Sequence, residues 1–218
     1  MKKTKKLVPF TVSLTVLLIL LLLVFFIKKI DSVETTKRID YSKSIQKEKL
    51  NEERKEELAR SKEEQNKKYF IKTITPIAQQ IQKEYHILAS ITIAQACLES
   101  DWGRSQLSTD YHNYFGVKGT GQNNTVSLET KEFINGKWIK KHDNFVVYRN
   151  LRDSVVAHAE LLKNGTSWNS KQYQEVLNAK EFREASRALY KAGYATDPTY
   201  AEKLIAIINK YKLNQYDN

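Results

Sequence analysis

Residues 87–100, ILASITIAQACLES, decide the fold of this chain. Apolar side chains cover nearly every face of the helix that this stretch would form, which is typical of a helix buried in a protein core. Gly103 follows at a distance that suits a C-terminal cap. The sequence therefore predicts a central core helix, around which the rest of a domain packs.

Further helices are predicted on both sides of this core helix. Apolar spacing and capping signals place them at residues 75–85, 151–163, 180–191 and 197–213. The first and the last begin at Pro76 and Pro198, because the fixed φ of proline suits a first helical turn. Asp197 stands immediately before Pro198, as an N-cap residue would.

Residues 124–148 have the pattern of a β-hairpin. Apolar and polar side chains alternate on both sides of Asn135-Gly136, which is the strongest short signal for a hairpin turn. We therefore expect residues 69–218 to form one α+β domain that is mainly α and carries a small β-hairpin lobe.

The N-terminus predicts a membrane anchor. Residues 1–6 form a basic tail with four lysines, and residues 7–27 contain no charge. At ~1.5 Å per residue this run is about 31 Å long, which matches a hydrocarbon core of ~30 Å. A cleaved signal peptide is the alternative, but its apolar region would be shorter. We expect a single span, with the basic tail in the cytoplasm and the domain outside the cell.

Residues 28–68 are predicted to be a charged stalk. From residue 35 to residue 68, 19 of 34 residues are charged, so this stretch cannot form a core. It fits a solvated helix or a disordered spacer, and a coiled coil is less favoured because no heptad is sustained. A partner membrane protein is a further possibility through the span, although the span has no GxxxG motif.

Composition excludes several classes of function. The net charge of +11 divides into +7 for residues 1–69 and +4 for residues 70–218, so little of it lies in the domain. With no recognisable nucleic-acid motif, we expect no nucleic-acid partner. One cysteine excludes an internal disulfide, and the four histidines form no metal-binding spacing. We expect neither a metal nor an organic cofactor.

Glu99 is the first candidate for chemistry. It ends the most apolar helix, where burial and the negative end of the helix dipole both favour a protonated carboxyl group. A carboxylic acid that stays neutral near pH 7 can act as the general acid in glycosidic cleavage. The alternative is an exposed glutamate after a core helix, with Asp101 as a second surface acid.

Glu132 is the second candidate, because it interrupts the apolar face of its predicted strand, whereas Glu129 lies on the opposite, solvated face. A charge at a strand end is the alternative explanation. Aromatic residues are frequent near both acids, and aromatic rings can pack against the apolar faces of sugars. Core packing explains at least half of these aromatic residues, which are Trp102, Tyr111, Tyr114, Phe115, Tyr194 and Tyr200.

Five segments in order resemble the glucosaminidase family, glycoside hydrolase family 73. They are AQACLESDWGRSQLS (94–108), HNYFGVKG (112–119), KEFINGKW (131–138), FVVYRNLRDSVVAHAELL (145–162) and YATDPTYAEKL (194–204). The resemblance covers residues 75–213 and implies a lysozyme-like α-lobe with a small β-lobe. It also implies cleavage of peptidoglycan after N-acetylglucosamine.

The resemblance also implies roles for individual residues. Glu99 falls on the family's acid, Glu132 on its second carboxylate and Tyr194 on its active-site tyrosine. Residues implied to bind substrate or shape the cleft are Trp102, Asn113, Phe115, Asp197 and Tyr200. Asp101 departs from the family, where glycine is frequent, and we expect it to raise the pKa of Glu99 slightly.

The expected protein is a membrane-anchored endo-β-N-acetylglucosaminidase that acts on peptidoglycan strands beside the cytoplasmic membrane, in wall remodelling or strand trimming. A muramidase or a lytic transglycosylase on the same fold is one alternative. A wall-binding scaffold without activity is the other.

Overall fold

The computed structural model describes the backbone of residues 10–119, 124–134 and 137–217, and it describes no side chains for residues 10–13, 131–134 and 138. Two units can be distinguished along the chain, Met1–Lys62 and Glu63–Asn218. The helices are α1 (Phe10–Tyr85), α2 (Ala89–Glu99), α3 (Gln106–Tyr111), α4 (Leu151–Asn164), α5 (Gln174–Asn178), α6 (Phe182–Lys191) and α7 (Tyr200–Tyr211). The strands are β1 (Thr125–Ile134) and β2 (Lys137–Val146), and a 3-10 helix, Leu213–Tyr216, follows α7.

The described part of the first unit is helical and belongs to α1. Ion pairs at i,i+4 spacing, Glu34–Arg38 and Glu56–Arg60, lie on its charged surface. Among the residues that the structure describes, none of the helices combines the length and the apolar character needed to cross a membrane. The predicted anchor at 7–27 begins outside the described residues, and it stays a prediction.

Helix α1 passes through Pro76, so the prediction that a helix begins there is wrong. Proline removes one backbone hydrogen bond, but the apolar residues on both sides of Pro76 follow a helical spacing and are buried together in the core. These residues are Phe70, Ile71, Ile74, Ala78 and Ile81. Their common burial outweighs the lost bond and keeps one helix across the proline.

Helix α2 lies at the centre of the second unit, as its sequence predicts. Every residue from Ala89 to Cys97 is buried. The helix packs against α6, α7 and the 3-10 helix. The carboxylate of Asp217 accepts hydrogen bonds from the backbone N–H and the hydroxyl of Ser90, at 2.7 and 2.6 Å. The C-terminus of the chain therefore caps the start of the core helix.

The predicted hairpin is present, so the α+β class is confirmed. Strands β1 and β2 pair antiparallel from Thr125 opposite Val146 to Ile134 opposite Lys137. The predicted turn at 135–136 lies outside the described residues. Asn113 holds the other end of the hairpin, because its amide donates to the carbonyls of Val117 and Val146, each at 2.9 Å.

His158, on α4, is fully buried in the helical core. Its ring stacks on Phe115 with the centroids 4.0 Å apart, and it meets the ring of Tyr194 edge to face. Within the described part of the chain, neither ring nitrogen has a hydrogen-bond partner. Burial therefore lowers the pKa of His158 to about 3, because the apolar surroundings disfavour the charged ring.

We expect His158 to lower the stability of the fold in acid relative to a variant without this ring. The unfolded chain binds a proton at this ring near pH 6.5 and the folded chain only near pH 3, so the contribution of His158 to stability falls as the pH decreases through this range. In His158→Phe this loss, about 1.4 kcal/mol per pH unit below 6.5, should be absent. Urea unfolding of both proteins from pH 7 to pH 5 measures the difference. His142→Phe, at an exposed position, is the control. Equal pH dependence in His158→Phe and the parent protein would contradict the expectation.

Candidate active site

Glu99 and Tyr200 meet where α2 ends and α7 begins. The hydroxyl of Tyr200 donates to Oε1 of Glu99 at 2.8 Å. Tyr200 is buried, whereas Glu99 is only partly buried. The packing of α2 on α7 thus fixes a carboxyl group at the edge of the core, where one side remains accessible.

Burial raises the pKa of Glu99 to about 7. The hydrogen bond from Tyr200 and the positive charge of Lys203 oppose this shift, because both stabilise the carboxylate. The sequence predicted the direction of the shift from the apolar character of the helix, and the structure identifies loss of solvent as the main cause. Near neutral pH a large fraction of Glu99 carries its proton.

Gln95 orients the tyrosine hydroxyl. It is fully buried, and its Nε2 donates to the hydroxyl oxygen of Tyr200 at 3.0 Å. Since that oxygen accepts from Gln95, its own proton is directed to Glu99. Gln95 was not among the predicted site residues. A signal was present in the sequence, because Gln95 is a polar residue one helical turn before Glu99 in a largely apolar helix.

Three tyrosines form a row that ends at Glu99. The rings of Tyr194 and Tyr200 stack with centroids 5.7 Å apart, and the ring of Tyr173 meets that of Tyr194 at 6.1 Å. Burial, together with the nearby charge of Glu99, raises the pKa of Tyr194 and of Tyr200 well above the usual value. Both phenols therefore stay neutral near pH 7, and they act through hydrogen bonds and ring packing. Tyr173 was not predicted to belong to the site.

Asp197 is held in a turn before α7. Its carboxylate accepts from the backbone N–H and the hydroxyl of Thr199, and it pairs with Lys203. The bond with Lys203 is the main reason why the pKa of Asp197 falls to about 2. The helix begins at Tyr200, later than the predicted start at Pro198, because this turn comes first. The predicted contact of Asp197 with substrate stays a prediction.

Asn113 and Phe115 are both buried. The carbonyl oxygen of the Asn113 side chain accepts from the N–H groups of Phe115 and Val117. Phe115 is buried against His158, which in turn contacts Tyr194. Phe115 is thus linked through His158 to the tyrosine next to Tyr200, and the predicted role of Asn113 and Phe115 in shaping a cleft stays a prediction.

The side chain of Trp102 is directed away from the Glu99–Tyr200 pair. Its ring packs on Tyr211, with centroids 4.9 Å apart, and Tyr211 is at the opposite end of α7 from Tyr200. Asp101 forms an ion pair with Arg104 at 2.9 Å and is not among the groups that shift the pKa of Glu99. The expectation that Asp101 raises this pKa is therefore wrong, because its carboxylate is exposed and paired.

Glu132 belongs to β1, where its backbone lies opposite Ile139. Its side chain is outside the described residues, so a pairing with Glu99 stays a prediction. Glu129 is exposed and forms an ion pair with Lys140 at 2.8 Å, as its predicted position on the solvated face implies. Where side chains are described, no group of three or more His, Cys, Asp or Glu residues could hold a metal ion.

Comparisons with known proteins agree with this arrangement. Residues 75–213 match the family model Glucosaminidase, described as mannosyl-glycoprotein endo-beta-N-acetylglucosaminidase. The exo-glucosaminidase LytG of Bacillus subtilis (strain 168) is 47% identical to this chain, over 68% of this chain and 52% of LytG. A probable N-acetylmuramidase of Lactococcus lactis subsp. cremoris (strain MG1363) is 39% identical, over 68% of this chain and 34% of that protein.

The fold is also similar to that of solved structures. The catalytic domain of the autolysin Auto from Listeria monocytogenes superposes with a TM-score of 0.63 at 39% identity, covering 70% of this chain and 88% of that domain. The chain spans about half the length of LytG and about a third of the lactococcal protein. Because the family model matches more than half of the chain, the protein belongs to the glucosaminidase family, glycoside hydrolase family 73.

Proposed function

We propose that this protein is a peptidoglycan hydrolase, an endo-β-N-acetylglucosaminidase that cleaves the glycan bond after N-acetylglucosamine. The observation that supports this most directly is the Glu99 carboxyl group, which is held by Tyr200 at 2.8 Å and has its pKa raised to about 7 by burial. An acid for glycosidic cleavage must carry a proton and must be fixed in position. Glu99 meets both requirements at neutral pH.

The first step is proton transfer to the leaving group. Glu99 donates its proton to the glycosidic oxygen, and the resulting carboxylate keeps the hydrogen bond from Tyr200. Because that bond is stronger to a charged oxygen, it stabilises Glu99 as the proton leaves. Gln95 and Tyr200 act as positioning residues, since they set the orientation of the carboxyl group.

The second step is attack at the sugar carbon. In this proposal Glu132 acts as the base for a water molecule or stabilises the positive charge that develops on the sugar. Tyr194 positions the 2-acetamido group. That acetamido group is an alternative nucleophile, and substrate assistance of this kind makes a second carboxylate less important.

Glu99→Gln tests the role of the acid. Glutamine keeps the size of the side chain and an oxygen that can accept from Tyr200, but its amide has no acidic proton to transfer to the leaving group. We expect digestion of purified peptidoglycan to slow by about 10²–10⁴-fold, the contribution of a general acid, with an unchanged unfolding temperature. A folded variant with most of its activity would remove Glu99 from the mechanism.

Glu132→Gln separates the two routes in the second step. If Glu132 is the base, the rate should fall by about 10²-fold or more; substrate assistance predicts a much smaller loss. Glu129→Gln is the matched control, because it lies on the same strand and is exposed. An equal, small effect of both substitutions would contradict the role of Glu132 as a base.

The pH dependence tests the pKa of Glu99. A general acid loses activity as it ionises, so kcat/KM should fall as the pH rises through about 7. Tyr200→Phe removes a bond that lowers this pKa, so the decline should move to higher pH. Tyr211→Phe, on the same helix but bonded to Glu64, should leave the decline in place. A profile that Tyr200→Phe does not shift would contradict the assignment.

A muramidase or a lytic transglycosylase is the second candidate, and it is favoured by the relative named as a probable N-acetylmuramidase. Mass analysis of the products distinguishes the candidates. The proposed activity gives N-acetylglucosamine at the new reducing end, a muramidase gives N-acetylmuramic acid and a transglycosylase gives a 1,6-anhydro product.

Early release of long fragments supports an endo enzyme, whereas terminal sugars alone indicate an exo enzyme. A zymogram without clearing would indicate a wall-binding scaffold.

We further propose that residues 7–27 anchor the protein in the cytoplasmic membrane, with the domain outside. This rests on the uncharged run in the sequence and on the exposure of its apolar side chains. Every large apolar side chain from Leu14 to Ile27 is at least half exposed. The tether would restrict hydrolysis to glycan close to the membrane, such as new strands.

Protease treatment of intact cells tests this orientation. We expect the domain to be removed while a tag placed before residue 7 survives, because only the domain is outside. Cleavage of the tag alone, or protection of the domain until the cells are lysed, would show that the orientation is wrong. Release of the whole protein by salt would contradict a membrane span.

A further inference from the structure

Trp168 is unusually exposed for its size. Its side chain is 81% accessible to solvent, and among the described residues of the second unit no other large apolar side chain is more exposed. An indole carries a large apolar surface, and leaving it in water forgoes the stabilisation that burial would give. An exposed ring of this size is typical of a residue that binds a ligand through its apolar face.

The backbone that carries Trp168 is held firmly. Thr166 and Asn169 exchange two backbone hydrogen bonds, at 3.0 and 3.1 Å, with Trp168 between them. Gly165, before this turn, has a φ of +71°, and a Cβ there would come within 2.3 Å of the carbonyl oxygen of Asn169. Only glycine therefore allows the turn to close this tightly, and the indole is presented on a defined support.

The same turn is fixed to the chain segment that carries Tyr194. The hydroxyl of Thr166 donates to Oε1 of Gln172 at 2.7 Å, and Nε2 of Gln172 donates to the carbonyl of Ala192 at 2.8 Å. Tyr173, the next residue, contacts the ring of Tyr194. Trp168 thus has a fixed position relative to the row of tyrosines that leads to Glu99.

A cavity of about 400 Å³ lies beside the indole, within the range of small-ligand sites. Its lining includes Trp168, Asn169, Lys171, Gln172, Ala188 and Ala192. The ion pair between Glu175 and Lys191, at 3.1 Å, borders it. Apart from the indole, its apolar lining consists of two alanines, so it lacks the contiguous apolar patch of a protein-binding surface.

The exposed indole and the polar lining of the cavity together indicate which class of ligand fits. A flat apolar ring surrounded by amide and ammonium groups fits a sugar, which has an apolar face for stacking and polar groups around its edge. Lys171 and the amide of Asn169 can bond to hydroxyl and acetamido oxygens. An isolated phosphate has no apolar face that could stack on the indole, so it does not explain the exposed ring.

We propose that Trp168 binds a saccharide unit of the glycan strand, outside the position where the bond is cleaved. The inference rests on the proposed function, since it names a second contact for the same polymer. The ring stacks on the apolar face of an N-acetylated sugar, and the turn at 166–169 holds the ring in place. Longer strands therefore bind more tightly than short ones.

The binding experiment uses the full-length Glu99→Gln protein in mild detergent, so that the polymer is not digested. We expect Trp168→Ala to weaken binding to purified insoluble peptidoglycan by about tenfold, as the loss of an aromatic anchor does. Trp168→Phe should retain most of the binding, because a ring remains. Tyr69→Ala, at another strongly exposed aromatic residue, is the matched control. Equal binding by Trp168→Ala and its parent overturns the proposal.

A rate measurement with active protein separates this proposal from the hydrolase function. Trp168→Ala should slow digestion of long strands by about tenfold while leaving the rate on a short N-acetylglucosamine oligomer unchanged. An equal loss on both substrates overturns the proposal, because it indicates damage to the cleft. If the parent protein digests nothing but Trp168 still governs binding, the hydrolase function fails and this inference stands.

Discussion

The hydrogen bond between Tyr200 and Glu99 is the contact on which the chemistry of this fold depends. It joins the end of the core helix to the start of α7, two positions that are 101 residues apart in sequence. A general acid must be shielded from solvent, so that its pKa is high enough for it to hold a proton near neutral pH. It must also remain accessible to the substrate that receives the proton. The packing of α2 on α7 meets both conditions, because Tyr200 covers one side of the carboxyl group and leaves Glu99 only partly buried.

Two titratable groups, the partly buried Glu99 and the fully buried His158, lie near Tyr194, and loss of solvent shifts their pKa values in opposite directions. Burial raises the pKa of Glu99 to about 7 and lowers that of His158 to about 3, so near neutral pH about half of Glu99 is protonated and His158 is uncharged. Glu99 contributes stability at low pH that is lost as the pH rises through about 7, whereas the contribution of His158 is lost as the pH falls below 6.5. Between about pH 4.5 and 6.5 the two effects offset each other. In this pH range the stability of the fold therefore depends less on pH than it would with either group alone.

The local features could be predicted from the sequence, because each depends on neighbouring residues. The apolar run at 87–100 predicted the core helix and the raised pKa of Glu99, and the hairpin pattern predicted β1 and β2. The failures depend on tertiary packing. Helix α1 continues through Pro76 because core residues on both sides hold it, and the bond from Gln95 to Tyr200 joins distant positions. Trp102 points to Tyr211 because Asp101, Trp102 and Gly103 all have positive φ angles, a backbone path that apolar spacing does not reveal.

The two proposed carboxylates are supported in different ways. Glu99 ends a helix that is buried along nearly its whole length, so the core itself fixes its backbone. Glu132 lies seven residues beyond Thr125, the residue of β1 that pairs with Val146, and at ~3.4 Å per residue this is about 24 Å from the end of the hairpin that Asn113 holds. The position of Glu132 therefore depends on cross-strand pairing along the hairpin. In the proposed mechanism the position of the proton donor is therefore set by the helical core, and the position of the second carboxylate is set by the β-hairpin that Asn113 holds at its other end.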